Sequence, residues 1–311
     1  MSPKISIVVA TYNSSQKLAY AIKSVLASEF DDWELVIIGD CCTDDTESCV
    51  AEFDDPRVSF FNLSVNSGQQ ATPNNVGVER AVGEYLCFLN QDDMFLPWHL
   101  GSMLEAYIQS SADLLCARYA QIVPIDFSKS PPSIVAFNGG RRPHSQTRYD
   151  PHTSYVASCW FMRKSVAQEV GEWITESRSY ITPSQEWLFR AHRMGKQILC
   201  TDRVSVIAVH SGSRPGSYSN KNQDEHKLLF NEVVTTTNQR DAVLQTADEN
   251  RFPHAGRGMR HALTDLYTAT LGRCFIVMGI HPKTPLKMLR YGRRGGFVKH
   301  HQRVTQSDKK P

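Results

Sequence analysis

Charge of one sign is scarce in this chain: 34 Lys and Arg stand against 32 Asp and Glu, a formal net charge of +2. So small an excess places no global demand for nucleic acid on the protein. Long apolar runs are missing too. No stretch approaches the ~20 residues of a membrane span, and the longest candidate, Cys274 to Ile280, is far too short. The eight cysteines form no Cys-x-x-Cys pair and no regular framework. Cys87, Cys116, Cys159, Cys200 and Cys274 lie in apolar surroundings and read as buried free thiols of a reducing cytoplasm. Adjacent Cys41 and Cys42 read as small packing residues of a loop. The opening Met1-Ser2-Pro3-Lys4 runs straight into a strand, so no secretory signal is expected.

What is present is an alternation of strands and helices. Ile5 to Ala10 is a β-branched run followed by polar Thr11-Tyr12-Asn13, and then by Leu18, Ala21, Ile22, Val25 and Leu26 at helical spacing. Trp33 to Ile38 predicts a second strand, and the turn Gly39 to Thr46 supplies caps for a helix ending near Phe53. Val58 to Leu63 is a third strand. A Gly- and Asn-rich stretch, 66–77, leads to a short helix around Val78 to Ala81. The apolar run Tyr85 to Leu89 is a strand buried on both faces that ends in Asn90-Gln91-Asp92-Asp93, after which Pro97 suits a first helical turn. This pattern predicts a mostly parallel sheet flanked by helices. Asp92 and Asp93 fall just past a strand's carboxyl end, where open α/β sheets place ligands. Taken alone, an Asp-Asp pair also suits a solvated turn and helix cap.

Three motifs, in order, resemble the family-two glycosyltransferases, which have the GT-A fold. They are Ser6 to Asn13, Trp33 to Thr46 with its closing Thr-Asp-x-Thr, and Gly83 to Pro97 in the place of the strand bearing Asp-x-Asp. The resemblance is good over roughly residues 4–100 and traceable to about residue 215. It implies a transferase using a nucleotide-activated sugar, a UDP-sugar foremost, and a glycan or lipid-linked acceptor of surface polysaccharide synthesis. By position it implies that Asp40 contacts the donor base, that Thr11, Tyr12, Asn13, Asn75 and Gln91 line the donor pocket, and that Asp92 binds a divalent cation, Mn²⁺ or Mg²⁺. Asn90 stands where the motif has its first Asp, and Asn74 where an Arg often precedes Asn-x-Gly. The physics agrees: hard cations on a diphosphate take few protein carboxylates and fill their shell with phosphate oxygens.

Further along, residues 124–151 read as a surface insertion carrying Arg141, Arg142 and Arg148. Trp160 and Trp173 suit sugar stacking or, more simply, the core. Pro183-Ser184 starts a helix with Glu186 in its first turn, where an acid complements the helix dipole. The resemblance places Glu186 as the catalytic base, Asp93 as a support of its turn or an acceptor contact, and His210 near the diphosphate and metal. Asp224 to Gln245 reads as helix. From Leu266 to Ser307 there is no acid but many cations, which suggests peripheral contact with an anionic membrane or a solvated tail. The expected organisation is a GT-A domain over residues 1–215 and a helical, basic extension over 216–311, acting as an inverting, metal-dependent transferase in the cytoplasm. Two rivals are a non-catalytic sugar-nucleotide or glycan-binding protein and a nucleotidyltransferase. The second needs a Gly- and Lys-bearing phosphate loop, and Thr11 to Gln16 has neither residue.

Overall fold

The protein is described here from a computed structural model, which covers residues 2–130, 132–139, 149–151, 155–209, 224–237, 239–249, 267 and 270–296. The β-branched and apolar runs form Ile5–Thr11 (β1), Trp33–Gly39 (β2), Val58–Asn62 (β3) and Tyr85–Phe88 (β4), all mutually parallel in the order β3-β2-β1-β4. β1, β2 and β4 are buried almost throughout, as strands covered on both faces must be. Ser15–Leu26 (α1), Thr46–Ala51 (α2) and Ala71–Arg80 (α3) connect them. α3 is longer than the four residues expected. It begins within the Gly- and Asn-rich stretch, where Asn74 N–H already donates to Gln70 C=O. Gly77 inside it is required by packing, because a Cβ there would lie 2.3 Å from Val8 Cγ1 of β1.

After β4 the chain forms Met94–Phe95 (β5), His99–Gln109 (α4), Leu114–Ile122 (β6), Ala136–Gly139 (β7), Trp160–Arg163 (β8), Lys164–Val170 (α5), Pro183–Arg193 (α6) and Ile198–Ala208 (β9). These strands extend the sheet beyond β4 in the order β8-β6-β9-β5, with β7 on β6. Here antiparallel pairs mix with one parallel pair, β6 with β9. Several expectations are corrected. Pro97 precedes the helix instead of opening it, because Met94 and Phe95 are first drawn into β5 against Ile207 and Val206. The 124–151 segment is no mere surface insertion: Ala136 to Ile122 pairing makes β7, and Ile134 and Ala136 are buried. Its Arg141, Arg142 and Arg148 lie outside the described residues. Residues 198–208 form one long strand. Cys200 is only half-buried and Cys274 is exposed, so two of the five thiols are not core groups.

Trp160, Trp173 and Trp187 stack at 5.1–6.3 Å between ring centroids and are buried, so Trp160 and Trp173 serve the core and not a sugar. The expected helix over 224–245 is broken into Asp224–Leu229 (α7), a π-helical turn Phe230–Val234, and Arg240–Glu249 (α8). Leu229, Val233, Val234, Val243 and Ala247 share a core with Met94, Leu96, Ala120 and Ile207, so this segment completes the cover of the sheet. Last come Leu271–Val277 (α9) and Lys283–Tyr291 (α10). No helix among the described residues is long and apolar enough to cross a membrane.

Candidate active site

Because β1, β2, β3 and β4 are parallel, their carboxyl ends deliver Thr11, Gly39, Asn62 and the Asn90 turn to one edge of the sheet. There the loops are tied to one another by side chains. Gln91 Oε1 accepts from Thr11 Oγ1 at 2.8 Å and from Tyr12 N–H at 2.9 Å, joining the ends of β1 and β4. Asn13, in the left-handed region with φ 44° that Asn tolerates, accepts through Oδ1 from the N–H groups of Thr43 and Asp44 at 2.8 and 3.3 Å. That joins the ends of β1 and β2. Asn62 grips Cys42 through both amide functions, at 2.8 and 2.9 Å. Gly39 makes room for it, since a Cβ there would sit 2.6 Å from Asn62 Oδ1. Asp40 is buried, and its two carboxylate oxygens accept from Ser67 N–H at 2.8 Å and Gly68 N–H at 2.9 Å.

The acidic turn is fixed from three directions. Asp93 is buried; its Oδ2 accepts from Asn90 Nδ2 at 2.8 Å and Ser158 Oγ at 2.6 Å, and its Oδ1 from Val209 N–H at 3.0 Å. These bonds tie Asp93 into the turn on both carboxylate oxygens. His226 of α7, itself buried, meets the Asp92 carbonyl through Nε2 at 3.1 Å. Asp92 stands half-buried between these anchors. The residues suit a hard cation. They offer one half-buried carboxylate, with the neutral Asn90 where a second would stand, and among the described residues no group of three His, Cys, Asp or Glu comes together as a closed cage. A Mn²⁺ or Mg²⁺ ion that completes its shell with phosphate oxygens and water asks for no more. His210 lies outside the described residues.

Glu186 belongs to a second group. Thr182 caps α6, its Oγ1 accepting from Gln185 N–H at 3.4 Å, with Pro183 in the first turn. Glu186 is half-buried, and Arg190, one turn on, forks across its carboxylate at 3.2 and 3.1 Å. The same guanidinium donates to the carbonyls of Val170 at 2.6 Å and Glu172 at 2.5 Å. A carboxylate has about four acceptor positions; the fork takes two, which orients the group and leaves room for an incoming hydroxyl. Asn75 does not reach outward: its amide bonds Trp173 N–H at 2.8 Å and Trp173 C=O at 3.0 Å. Asn75 and Arg190 thus both hold one loop, 170–173. Phe88 of β4 packs edge-on to Trp173 at 5.1 Å, linking this loop to the strand that leads into the Asp92 turn.

Sequence reasoning misses Ser158, His226 and Asn62. Ser158 leaves a trace, a polar residue in an apolar stretch. His226 leaves none, because only the folding of α7 against the acidic turn gives it a role. His99, the first residue of α4, likewise leaves no trace in the sequence: it is buried, bonded to Ser205 Oγ at 2.8 Å and stacked on Phe95 at 3.9 Å, and burial lowers its pKa to about 3. It is a neutral packing histidine.

A curled α/β sheet with polar loops at the carboxyl edge of its parallel strands defines the GT-A class of glycosyltransferases. Solved structures agree on that fold. TarS 1–349 of S. aureus in complex with UDP-GlcNAc matches with TM-score 0.57 at 19% identity, over 98% of this chain and 91% of that one. A mannosyltransferase of Pyrobaculum calidifontis in complex with GDP-Man and Mn²⁺ matches with TM-score 0.52 at 12% identity, over 100% and 89%. The chain belongs to glycosyl transferase family 2, whose profile it matches over residues 6–171, more than half its length. Among characterised relatives, the GalNAc(5)-diNAcBac-PP-undecaprenol β-1,3-glucosyltransferase of Campylobacter jejuni is 36% identical over 106 residues, 33% of this chain and 34% of that protein. The match therefore spans about a third of the relative's length.

Proposed function

We propose that this chain transfers a sugar from a nucleotide diphosphate donor, a UDP-sugar foremost, to a hydroxyl of a glycan or lipid-linked acceptor, with inversion, in surface polysaccharide synthesis. The observation that carries the reading is the bracing of the acidic turn. Asp93, Ser158 and His226 fix the backbone around Asp92, while Gln91 ties the same turn to Thr11 and Tyr12. Preorganised groups of this kind are what phosphate-departure chemistry needs. Family membership and a relative named for a lipid-linked substrate support the reaction class and the acceptor. Solved structures of the same fold carry UDP-GlcNAc, or GDP-Man with Mn²⁺, and these are the donor classes and the cation to test. The free thiols are in keeping with work in a reducing cytoplasm.

Asp92 is the residue that would hold Mn²⁺ or Mg²⁺, and the cation would supply charge stabilisation to the departing diphosphate. Thr11, Tyr12, Asn13 and Asp40 receive the nucleoside end of the donor. Glu186, oriented by Arg190, accepts the proton of the acceptor hydroxyl as its oxygen attacks the anomeric carbon. The bond from that carbon to the diphosphate oxygen breaks on the opposite face, and the electron pair leaves with the nucleotide. Asn90 favours a second reading, a non-catalytic sugar-nucleotide binder, which turnover would separate from the first. The experiment that tests the donor assignment is a thermal-shift panel of nucleotide sugars with and without Mn²⁺, because a ligand of the native state raises its melting temperature. A UDP-sugar should raise it with metal present. A folded protein indifferent to the whole panel would remove the proposal.

A further inference from the structure

α9, α10 and the turn between them expose a run of large aliphatic side chains. Leu271, Val277, Met278, Leu286, Met288 and Leu289 are all exposed, Val277 at 88% and Leu289 at 85% of their full areas. α10 has no buried residue at all. Lys283, Lys287 and Arg290, at i, i+4 and i+7, share one side of that helix, and Leu286 and Leu289 lie beside them. Between Leu266 and Ser307 the sequence contains no acid. Asp150, beside Lys283, faces the cluster from another element. Lys287 is partly shielded, and that burial foremost, then the repulsion of Lys283 and Arg290, lowers its pKa to about 7, so the exposed Arg290 is the full charge of this side.

We propose that the segment of α9 and α10 docks the protein on an anionic lipid bilayer. The occupant follows from complementarity. Exposed aliphatic side chains flanked by cations are the composition of a helix lying in the headgroup region, and anionic lipid supplies the charge that this segment lacks. The same segment is also fastened to α6 and the loop before it. His281 packs edge-on to Phe189 of α6 at 5.1 Å, Gly295 N–H donates to Ser179 C=O at 2.9 Å, and Arg294 lies over Tyr180 at 5.9 Å. Gly279 sits so close to Arg193 of α6 that a Cβ would come within 2.8 Å of its Cζ. α6 carries Glu186. Docking therefore holds the helix bearing the proposed base at a fixed place relative to the bilayer, and this consequence rests on the lipid-linked acceptor reading above.

The test uses the full chain with vesicles of phosphatidylglycerol or of phosphatidylcholine, read by co-sedimentation. The protein should bind the former, ignore the latter and release at high salt. Arg290→Glu with Arg293→Glu, both exposed, should weaken binding by at least about fivefold per lost cation. Val277→Glu with Leu289→Glu should abolish it. All four side chains are wholly or partly exposed and outside the donor site, so melting temperature and UDP affinity should stay at the wild-type values. A wild-type protein that ignores phosphatidylglycerol at low salt overturns the proposal. So do charge-reversed variants that bind as the wild type does, or variants that instead dissolve a dimer, which would assign the face to a second copy of the chain. Vesicle binding without any sugar transfer would sink the transferase reading alone.

Discussion

Glu186→Gln separates a catalytic carboxylate from a structural one. The replacement keeps shape and one acceptor oxygen, but it removes the negative charge and the second acceptor that Arg190 now grips. Both side chains of the pair are about a quarter exposed, at 20% and 27%. Arg190 also keeps its two carbonyl partners, Val170 and Glu172, in the variant. The stability cost is therefore that of a partly screened i,i+4 pair and a first-turn acid, about 1 kcal/mol. A positioned general base contributes about 10²–10⁴-fold to rate, or roughly 3–5 kcal/mol of barrier. The two readings differ severalfold in size and appear in different assays. Nucleotide release at saturating donor and acceptor should fall by that factor, with the melting temperature nearly kept and UDP affinity unchanged. Near-normal release by a folded Gln variant would refute the base assignment.

Other consequences are independent of catalysis. His99 has a folded pKa of about 3 against 6.5 unfolded, so below about pH 6.5 the unfolded chain binds the extra proton. Its contribution is complete above that pH and shrinks by about 1.4 kcal/mol per unit as pH falls. Urea melts at about pH 7 and about pH 5 should show this slope in the wild type and a shallower one in His99→Gln; equal slopes would remove His99 as the cause. Gly77→Ala should destabilise by about 1–3 kcal/mol through its clash with Val8, outweighing any helix-propensity gain. Val8→Ala in the same chain should recover part of that loss, and strict additivity in the double-mutant cycle would refute the contact.

The parallel half of the fold was legible because its signals are local. β1, β2 and β4 are continuous apolar runs that end in polar turns, and each strand begins where its run begins. Gly77 was visible only as a helix-unfriendly residue; that it admits the helix to Val8 is a tertiary fact, and α3 was cut short for that reason. β5 and β7 are too short, at two and four residues, to declare themselves without partners. The acidic turn was found as a position but not as a machine. Asp93 reads like Asp92 in the sequence, and only Ser158, Asn90 and Val209 distinguish the buried brace from the half-buried carboxylate. Asn75 shows the same limit: motif position sent it toward the donor, whereas its amide is spent on the backbone of Trp173.

The central claim is transfer from a nucleotide sugar at a metal site built on Asp92, and the most direct measurement is nucleotide release. The wild-type protein, given a UDP-sugar and a prenyl-diphosphate-linked acceptor, should release UDP with Mn²⁺ present and stop when the ion is chelated. Asp92→Ala, folded to the same melting temperature, should release none and lose Mn²⁺-dependent UDP binding in calorimetry. Release that survives in Asp92→Ala, or continues undiminished after chelation, would contradict the account.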